Sequence, residues 1–280
     1  MRWRANAKIN LSLEILGRRE DGYHELNMVM TSVSLCDWLE AEPAPPGISL
    51  ACSDPSVPCG PQNTVYRAAA LFLESSGLAK KTGVRLFLEK AIPSQAGLGG
   101  GSADAAATLC ALNALFHYPV SREDLLRIGL KVGADVPFCL TGGVCLAQGV
   151  GERLTRVQGL MPCAIVICKP PVSVSTPEAF RRADSRTGAN SHFTEGVLRA
   201  LEAGSLSALG KAIDNDFEEV MALPETAAVR QALLETGAAG ACMTGSGSAV
   251  FGLFASSAQA EACVRELRRT WPQTFLCFPA

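Results

Sequence analysis

Pro93-Ser94-Gln95-Ala96-Gly97-Leu98-Gly99-Gly100-Gly101-Ser102-Ala103-Asp104 sets four glycines in five positions directly ahead of an Ala/Leu-rich helical stretch running from Ser102 to about residue 116. Residues without a Cβ permit backbone angles and close approaches denied to all others. The first N–H groups of a helix lack intrahelical partners and carry partial positive charge, so a glycine-rich turn opening a helix suits an anion. Crowded N–H groups can surround several phosphate oxygens with no cationic side chain. The stretch is a candidate phosphate cradle, with tight strand-to-helix packing as the other reason for such a loop. Two further glycine signatures do not fit. A P-loop closes with Gly-Lys-Ser/Thr, and no lysine separates Gly101 from Ser102. A dinucleotide fingerprint begun at Gly97 meets Ser102 where its third glycine belongs.

Working outward, Val84, Leu86 and Leu88 alternate with Arg85, Phe87 and Glu89, the pattern of a strand leading into the loop. Ile9, Leu11, Leu13 and Ile15 alternate with Asn10, Ser12 and Glu14, which predicts a half-buried strand. Residues 26–33 and 38–42 read as two further strands, and 43–61 as an irregular connection with a short strand at 48–52. Asn63 is placed to cap a helix carrying Ala68, Leu71 and Phe72. Downstream, Ser121 opens a helix ending near Lys131, Gly133-Ala134-Asp135-Val136-Pro137 reads as a turn, and strands return at 143–147 and 163–168. Thr176 reads as a cap with Pro177 at the first helical position. Helices follow at 198–212, 226–236 and 258–269, and strands at 241–243 and 250–254 flank Thr244-Gly245-Ser246-Gly247-Ser248. Runs of strands, then helices, then a mixture argue an α+β fold. The length suits one large domain or two medium ones, and the chain is divided here into 1–160 and 161–280.

With 25 basic and 27 acidic side chains in 280 residues, the chain exerts no net pull on a phosphate backbone, so no nucleic-acid partner is expected. No apolar run reaches the ~18 residues of a membrane span. The 11 cysteines are odd in number and lack CxxC spacing, and only 3 histidines accompany them, which provides poorly for a zinc site. They read as small buried hydrophobes. The start Met1-Arg2-Trp3-Arg4-Ala5-Asn6-Ala7-Lys8 has no apolar signal region and runs straight into a patterned segment, so a cytoplasmic location is expected.

Pro93-x-x-x-Gly97-Leu98-Gly99-Gly100-Gly101-Ser102-x-Asp104-Ala105-Ala106 resembles the ATP-binding loop of the GHMP kinases, a family that includes galactokinase, homoserine kinase and mevalonate kinase. Ala7-Lys8-Ile9-Asn10-Leu11 and Gly245-Ser246-Gly247 resemble the family's first and third motifs. Asp21-Gly22-Tyr23-His24-Glu25-Leu26, Gly133-Ala134-Asp135-Val136-Pro137-Phe138 and Gly149-Val150-Gly151-Glu152 are similar to the branch whose acceptor is a cytidylyl-linked methylerythritol. The resemblance implies transfer of the γ-phosphoryl group of ATP, with Mg²⁺, to the 2-hydroxyl of that small molecule, on the methylerythritol phosphate route to isoprenoid precursors. It also implies two domains, an N-terminal one like ribosomal protein S5 and a C-terminal ferredoxin-like one with the active site between them, in a monomer or weak homodimer.

By the same resemblance Asp135 receives the hydroxyl proton, and Lys8 favours its carboxylate form and stabilises charge on the transferred group. Taken singly, Asp135 reads equally as a turn carboxylate and Lys8 as a solvated charge at a strand start. Phosphates are expected on the backbone of the glycine loop. Ser102 either lends its hydroxyl to Mg²⁺ or caps the helix, and Asn63 either lies near the nucleotide with Asp104 or only caps its own helix. Lys90 either approaches the adenine or phosphate end or is a surface lysine after a strand. Tyr23, His24 and Phe180 resemble an aromatic clamp on cytosine, with loop packing and a buried helix face as their plain alternatives. Asn10 is expected to bind polar groups of the acceptor, Val150 and Pro177 to shape its pocket, and Thr244 to reach its phosphate. The Gly245-Ser246-Gly247 loop completes the phosphate site or is a plain hairpin. A kinase for another acceptor, a silent nucleotide-binding regulator and a nicotinamide-dependent oxidoreductase are the rival readings.

Overall fold

The computed structural model describes residues 2–185 and 192–280. It divides into two compact units, each assembled from separated stretches of chain: Met1–Ala7, Cys36–Ile92 and Gly99–Thr141 in the first, and Lys8–Leu35, Pro93–Leu98 and Gly142–Ala280 in the second. The fold is α+β, as the order of patterns predicts. Strands β1 (Arg2–Arg18) and β2 (His24–Ala44) contribute residues to both units.

In the first unit, β4 (Gly83–Glu89) pairs antiparallel with Trp38–Ala44 of β2 and parallel with β3 (Gly47–Cys52). Val84, Leu86 and Leu88 of β4 are buried while Arg85, Phe87 and Glu89 face out, as the alternation requires. Helices α1 (Thr64–Ser75), α2 (Gly100–Leu115), α3 (Arg122–Val132) and α4 (Val136–Thr141) pack on one another around Phe72, Leu109, Leu112 and Phe138. Asn63 caps α1 as expected, its side chain accepting from the Val65 N–H at 2.8 Å. The stretch read as a turn ends sooner than expected, because Val136 and Pro137 already belong to α4. Pro137 sits in the first turn, where its missing N–H costs nothing.

In the second unit, Leu26–Thr31 of β2 pairs antiparallel with β5 (Val144–Gly149), which turns back into β6 (Arg153–Arg156). A separate four-stranded antiparallel sheet has the order β11 (Thr274–Cys277), β7 (Ala164–Cys168), β10 (Val250–Phe254), β9 (Gly240–Met243). Helices α9 (Pro224–Glu235) and α10 (Ser257–Leu267) pack against it. Every residue of β7, β9 and β10 is buried, which explains their unbroken apolar runs. The expected helix at 198–212 is two helices, α6 (Thr194–Glu202) and α7 (Leu206–Ala212), split at Gly204 with φ +60° and recapped by Ser205. Helix α5 (Thr176–Ala183) begins one residue earlier than read, with Ser175 at its cap position, and the Thr176 hydroxyl bonds Ser246 instead at 2.9 Å. A two-residue strand β8 (Asp214–Asn215) pairs parallel with β1 and runs into α8 (Asp216–Met221).

Two strand expectations need correction. Residues 26–33 and 38–42 belong to one unbroken strand, β2. The half-buried reading of β1 fails, since Asn10, Ser12 and Glu14 are as buried as their apolar neighbours. Their polar atoms are satisfied by distant residues: Ser12 accepts from the Val29 N–H at 3.0 Å, and Glu14 from the Thr194 N–H at 2.8 Å and the Asn27 amide at 2.7 Å. Of the cysteines, six are buried and five partly exposed, and burial pushes the Cys277 thiol up to about 12. Among the described residues no helix is long and apolar enough to cross a membrane.

Candidate active site

In the second unit, the first residues of the glycine loop meet the Thr244–Ser248 loop backbone to backbone. Ala249 N–H donates to the Ala96 carbonyl at 3.1 Å, and Lys8 N–H to the Leu98 carbonyl at 3.0 Å. Gly97 has φ +74°, and a β-carbon there would lie 2.0 Å from the Thr244 carbonyl oxygen, so only glycine fits. Gln95 beside it holds φ 51°, an uncommon angle for a residue with a side chain.

Beneath this junction β1 places Lys8 and Asn10 on one face, two residues apart. Both are buried, at 5% and 1% exposure. Asn10 Oδ1 gathers three donors: the Lys8 ammonium at 2.7 Å, the Gly245 N–H at 3.1 Å and the Thr244 hydroxyl at 3.3 Å. Asn10 N–H in turn donates to Thr244 Oγ1 at 3.0 Å. The structure thus brings Lys8, Asn10, Gly97 and Thr244 into one cluster. The Lys8 ammonium is a buried cation, whereas a solvated charge at a strand start was the plain expectation. Thr244 is fully buried, with its hydroxyl committed to this cluster.

Asn215 and Glu218, which carry no assigned role in the sequence, hold the far side of that loop. Asn215 Nδ2 donates to the carbonyls of Met243 and Gly245, each at 2.8 Å, and Glu218 accepts from the Met243 N–H at 2.8 Å.

A second cluster lies at the start of β2. His24 Nε2 hydrogen-bonds Asp184 Oδ1 at 2.7 Å, and its ring stacks on Phe180 with centroids 4.6 Å apart. A carboxylate only accepts, so Nε2 carries the proton in that bond. Phe217 meets Phe180 edge-on at 5.0 Å. His24 and Phe180 therefore touch one another with no slot for a base between them, while Tyr23 is 65% exposed. Pro177 is exposed on α5. Val150 lies in the β5–β6 turn, its N–H donating to Glu152 at 2.7 Å.

In the first unit, α2 opens at Gly99 in the left-handed conformation, φ 68°, with no side-chain cap. Its leading N–H groups carry the partial charge that suits an anion. Ser102 is the third residue of α2, so it does not cap the helix. Asn63 uses both ends of its amide locally, accepting from Val65 N–H and donating to the Pro58 carbonyl at 2.7 Å. Asp135 stands at the head of α4, half-buried, its carbonyl accepting from the Cys139 N–H at 3.0 Å.

Lys90 is not the surface lysine of the plain reading. Its ammonium donates to Asp104 at 2.8 Å and to Asp37, all three side chains being at most 10% exposed. Asp37 also accepts from the Ala91 and Ile92 N–H groups at 2.5 and 2.8 Å, just ahead of the glycine loop. Two carboxylates share one cation, and Asp104 Oδ1 is buried without a partner. Burial, against the pull of Lys90 and with the push of Asp37, raises Asp104 to about 8. Lys90 is held above its usual value, the two carboxylates outweighing the cost of burial. Asp37 escaped notice in the sequence, although a lone acid inside an apolar strand is a signal that could have found it.

No group of three or more His, Cys, Asp or Glu among the described residues is arranged for a metal ion, and Mg²⁺ commonly arrives on phosphates with few protein ligands. The Ser102 hydroxyl, partly exposed at the head of α2, suits that arrangement.

The sequence pattern of the GHMP kinases N terminal domain matches residues 63–143, and that of the GHMP kinases C terminal matches 197–273. A 4-diphosphocytidyl-2-C-methyl-D-erythritol kinase from Pelotomaculum thermopropionicum is 44% identical over 269 residues, covering 95% of this chain and 93% of its own. One from Desulfitobacterium hafniense is 46% identical over 261 residues, covering 92% and 88%. A crystal structure of 4-(cytidine 5'-diphospho)-2C-methyl-D-erythritol kinase matches all of both chains with 38% identity and a TM-score of 0.82. A homoserine kinase from Cytophaga hutchinsonii shares the fold, with a TM-score of 0.80 at 20% identity.

Proposed function

The chain belongs to the 4-diphosphocytidyl-2-C-methyl-D-erythritol kinases of the GHMP kinase family, and from that membership we propose how its residues serve the reaction. It is an ATP-dependent kinase that phosphorylates 4-diphosphocytidyl-2-C-methyl-D-erythritol in the methylerythritol phosphate pathway. ATP supplies the phosphoryl group. The protein's work is positioning and charge neutralisation, since phosphoryl transfer asks little covalent chemistry of it.

The phosphates rest on the backbone from Gly97 to Ser102. The observation that carries this is the uncapped, left-handed entry to α2 at Gly99, which leaves N–H groups aimed out of the helix. Ser102 lends its hydroxyl to the Mg²⁺ that accompanies ATP. Asp135 takes the proton from the 2-hydroxyl. Lys8, held by Asn10, stabilises the negative charge that develops on the transferred group, a role supported by its burial and its fixed ammonium. Asn10 and Thr244 serve the acceptor end through Lys8, their own polar atoms being engaged with one another and with its ammonium. Tyr23 offers its open ring to cytosine, and His24 backs Phe180 as a second platform; Val150 and Pro177 border the same region. Lys90 and Asp104 support the nucleotide end by pairing at the second turn of α2, with Asn63 capping the neighbouring helix.

Residues 1–160 form the ATP-binding and catalytic part and 161–280 the part that adds Pro177 and Phe180 to the acceptor site begun by Tyr23, His24 and Val150, with the boundary falling between the spans of the two family patterns. The enzyme works in the cytoplasm as a monomer or weak homodimer.

Incubating the protein with ATP, Mg²⁺ and the cytidylyl acceptor, beside galactose, homoserine and mevalonate, tests the assignment. ADP release is expected with the cytidylyl acceptor alone. Lys8→Ala and Asp135→Asn are each expected to lower kcat by on the order of a hundredfold or more. Wild-type turnover in either variant removes that residue from its role.

A further inference from the structure

Asn215 closes β8 and caps α8, its Oδ1 accepting from the Phe217 N–H at 3.0 Å. Pairing of β8 with β1 sets it opposite Leu13. It is only 2% exposed, and its amide has both hydrogens committed to carbonyls of the third glycine loop, Met243 and Gly245. The Gly245 residue is thereby gripped at both ends. Its carbonyl is held by Asn215, and its N–H donates to Asn10 Oδ1. That same oxygen receives the Lys8 ammonium at 2.7 Å. Gly245 sits so close to Lys8 that a β-carbon on it would lie 3.2 Å from Nζ.

We propose that Asn215 is a positioning residue for phosphoryl transfer, acting through Gly245 and Asn10 to fix the Lys8 ammonium. The proposal rests on the role given to Lys8 above. Asn215 touches neither substrate. An asparagine fits this task because one side chain must donate twice and accept once at fixed angles, which neither Asp nor Ser can do. Once the Asn215 amide is gone, two buried carbonyls lose a donor and the Gly245 peptide is free to rotate. Asn10 Oδ1 then loses its backbone donor, the Gly245 N–H, and the Lys8 ammonium it orients acquires alternative positions.

The test compares kcat and both KM values for wild type, Asn215→Ala, Lys8→Ala and the double variant, with Tm recorded for each. Asn215→Ala is expected to lower kcat about tenfold, a 1.4 kcal/mol effect, while KM for ATP and acceptor stay within about twofold. In the Lys8→Ala background the same substitution is expected to change kcat by less than twofold, because the group it positions is absent. An equal loss in both backgrounds overturns the proposal. So does a larger effect on KM than on kcat, or wild-type kcat in Asn215→Ala. Lys8→Ala with undiminished kcat overturns the reading of Lys8 itself and this proposal with it. Glu218→Ala loosens Met243 without touching Gly245, and a kcat loss as large as that of Asn215→Ala would show mere loosening of the strand end. If Asn215→Ala does not fold, Asn215→Ser, which keeps the cap acceptor and one donor, is measured in the same two backgrounds with the same criteria.

Discussion

The carbonyl oxygen of Thr244 stands 2.0 Å from the point a β-carbon on Gly97 would occupy. Since Gly97 also has φ +74°, Gly97→Ala meets both a collision with rigid backbone and an unfavourable conformation. The variant is expected to lose about 3 kcal/mol of stability and nearly all turnover. Gly101→Ala is the contrast: its nearest neighbour is the Thr64 hydroxyl at 3.3 Å and its φ is helical, so stability should stay within ~1 kcal/mol while KM for ATP rises. Urea unfolding and steady-state kinetics on the two variants separate fold from cradle.

The shared cation at Asp37, Lys90 and Asp104 makes stability depend on pH in a direction that can be stated. Asp104 is raised from 3.8 to about 8, so between those values the folded chain holds a proton that the unfolded chain has released. Stability is therefore greatest below pH 4 as far as this group is concerned and declines as pH climbs towards 8. Asp104→Asn, and Asp37→Asn by leaving one carboxylate per cation, should both flatten that decline. Urea midpoints at pH 5 and pH 8 are the measurement; an unchanged slope in Asp104→Asn would show that the proton sits elsewhere.

Aromatic contacts at the start of β2 divide into an exposed ring and a stacked pair. Tyr23→Ala removes a side chain that is 65% exposed and should leave Tm unchanged. KM for the cytidylyl acceptor is expected to rise tenfold or more, for a stacking contribution of about 1–3 kcal/mol, with KM for ATP unmoved. Phe180→Ala should show the same split and also lower Tm, because His24 and Phe217 both pack on that ring. Equal effects on both substrates would remove the rings from cytosine recognition.

Ser102→Ala replaces a partly exposed residue inside the first turn of α2 with a better helix former. Tm should hold or rise slightly while the Mg²⁺ concentration for half-maximal turnover increases. An unaltered magnesium dependence would take Ser102 out of metal binding.

Much of this was legible along the chain because its physics is local. The glycine loop announces itself through backbone that favours residues without a Cβ, and Asn63 and Ser121 through hydroxyl or amide chemistry within three residues of the bond they make. What escaped has distant partners. Asn10, Ser12 and Glu14 look like the wet face of a strand because Thr244 and Thr194, which satisfy them, lie roughly 180 to 230 positions away in sequence. Lys90 looks solvated because its partner Asp37 is 53 residues upstream. Strands β6, β8 and β11 have four residues or fewer, too short for periodicity to register.

The interleaving of the two units has a consequence for the order of synthesis. The first unit is complete in sequence once Thr141 has been made. Asn10 must wait for Thr244 and Gly245, which follow it by 234 and 235 positions. At translation rates of about 5–20 residues per second, the interval is on the order of ten seconds to nearly a minute. Throughout it the face of β1 that carries Lys8 and Asn10 lacks its native cover, and a chain interrupted before residue 244 never acquires the loop that orders Lys8. Assembly of this cluster is thus a late event of biogenesis, closed to any chain that stops short of residue 245.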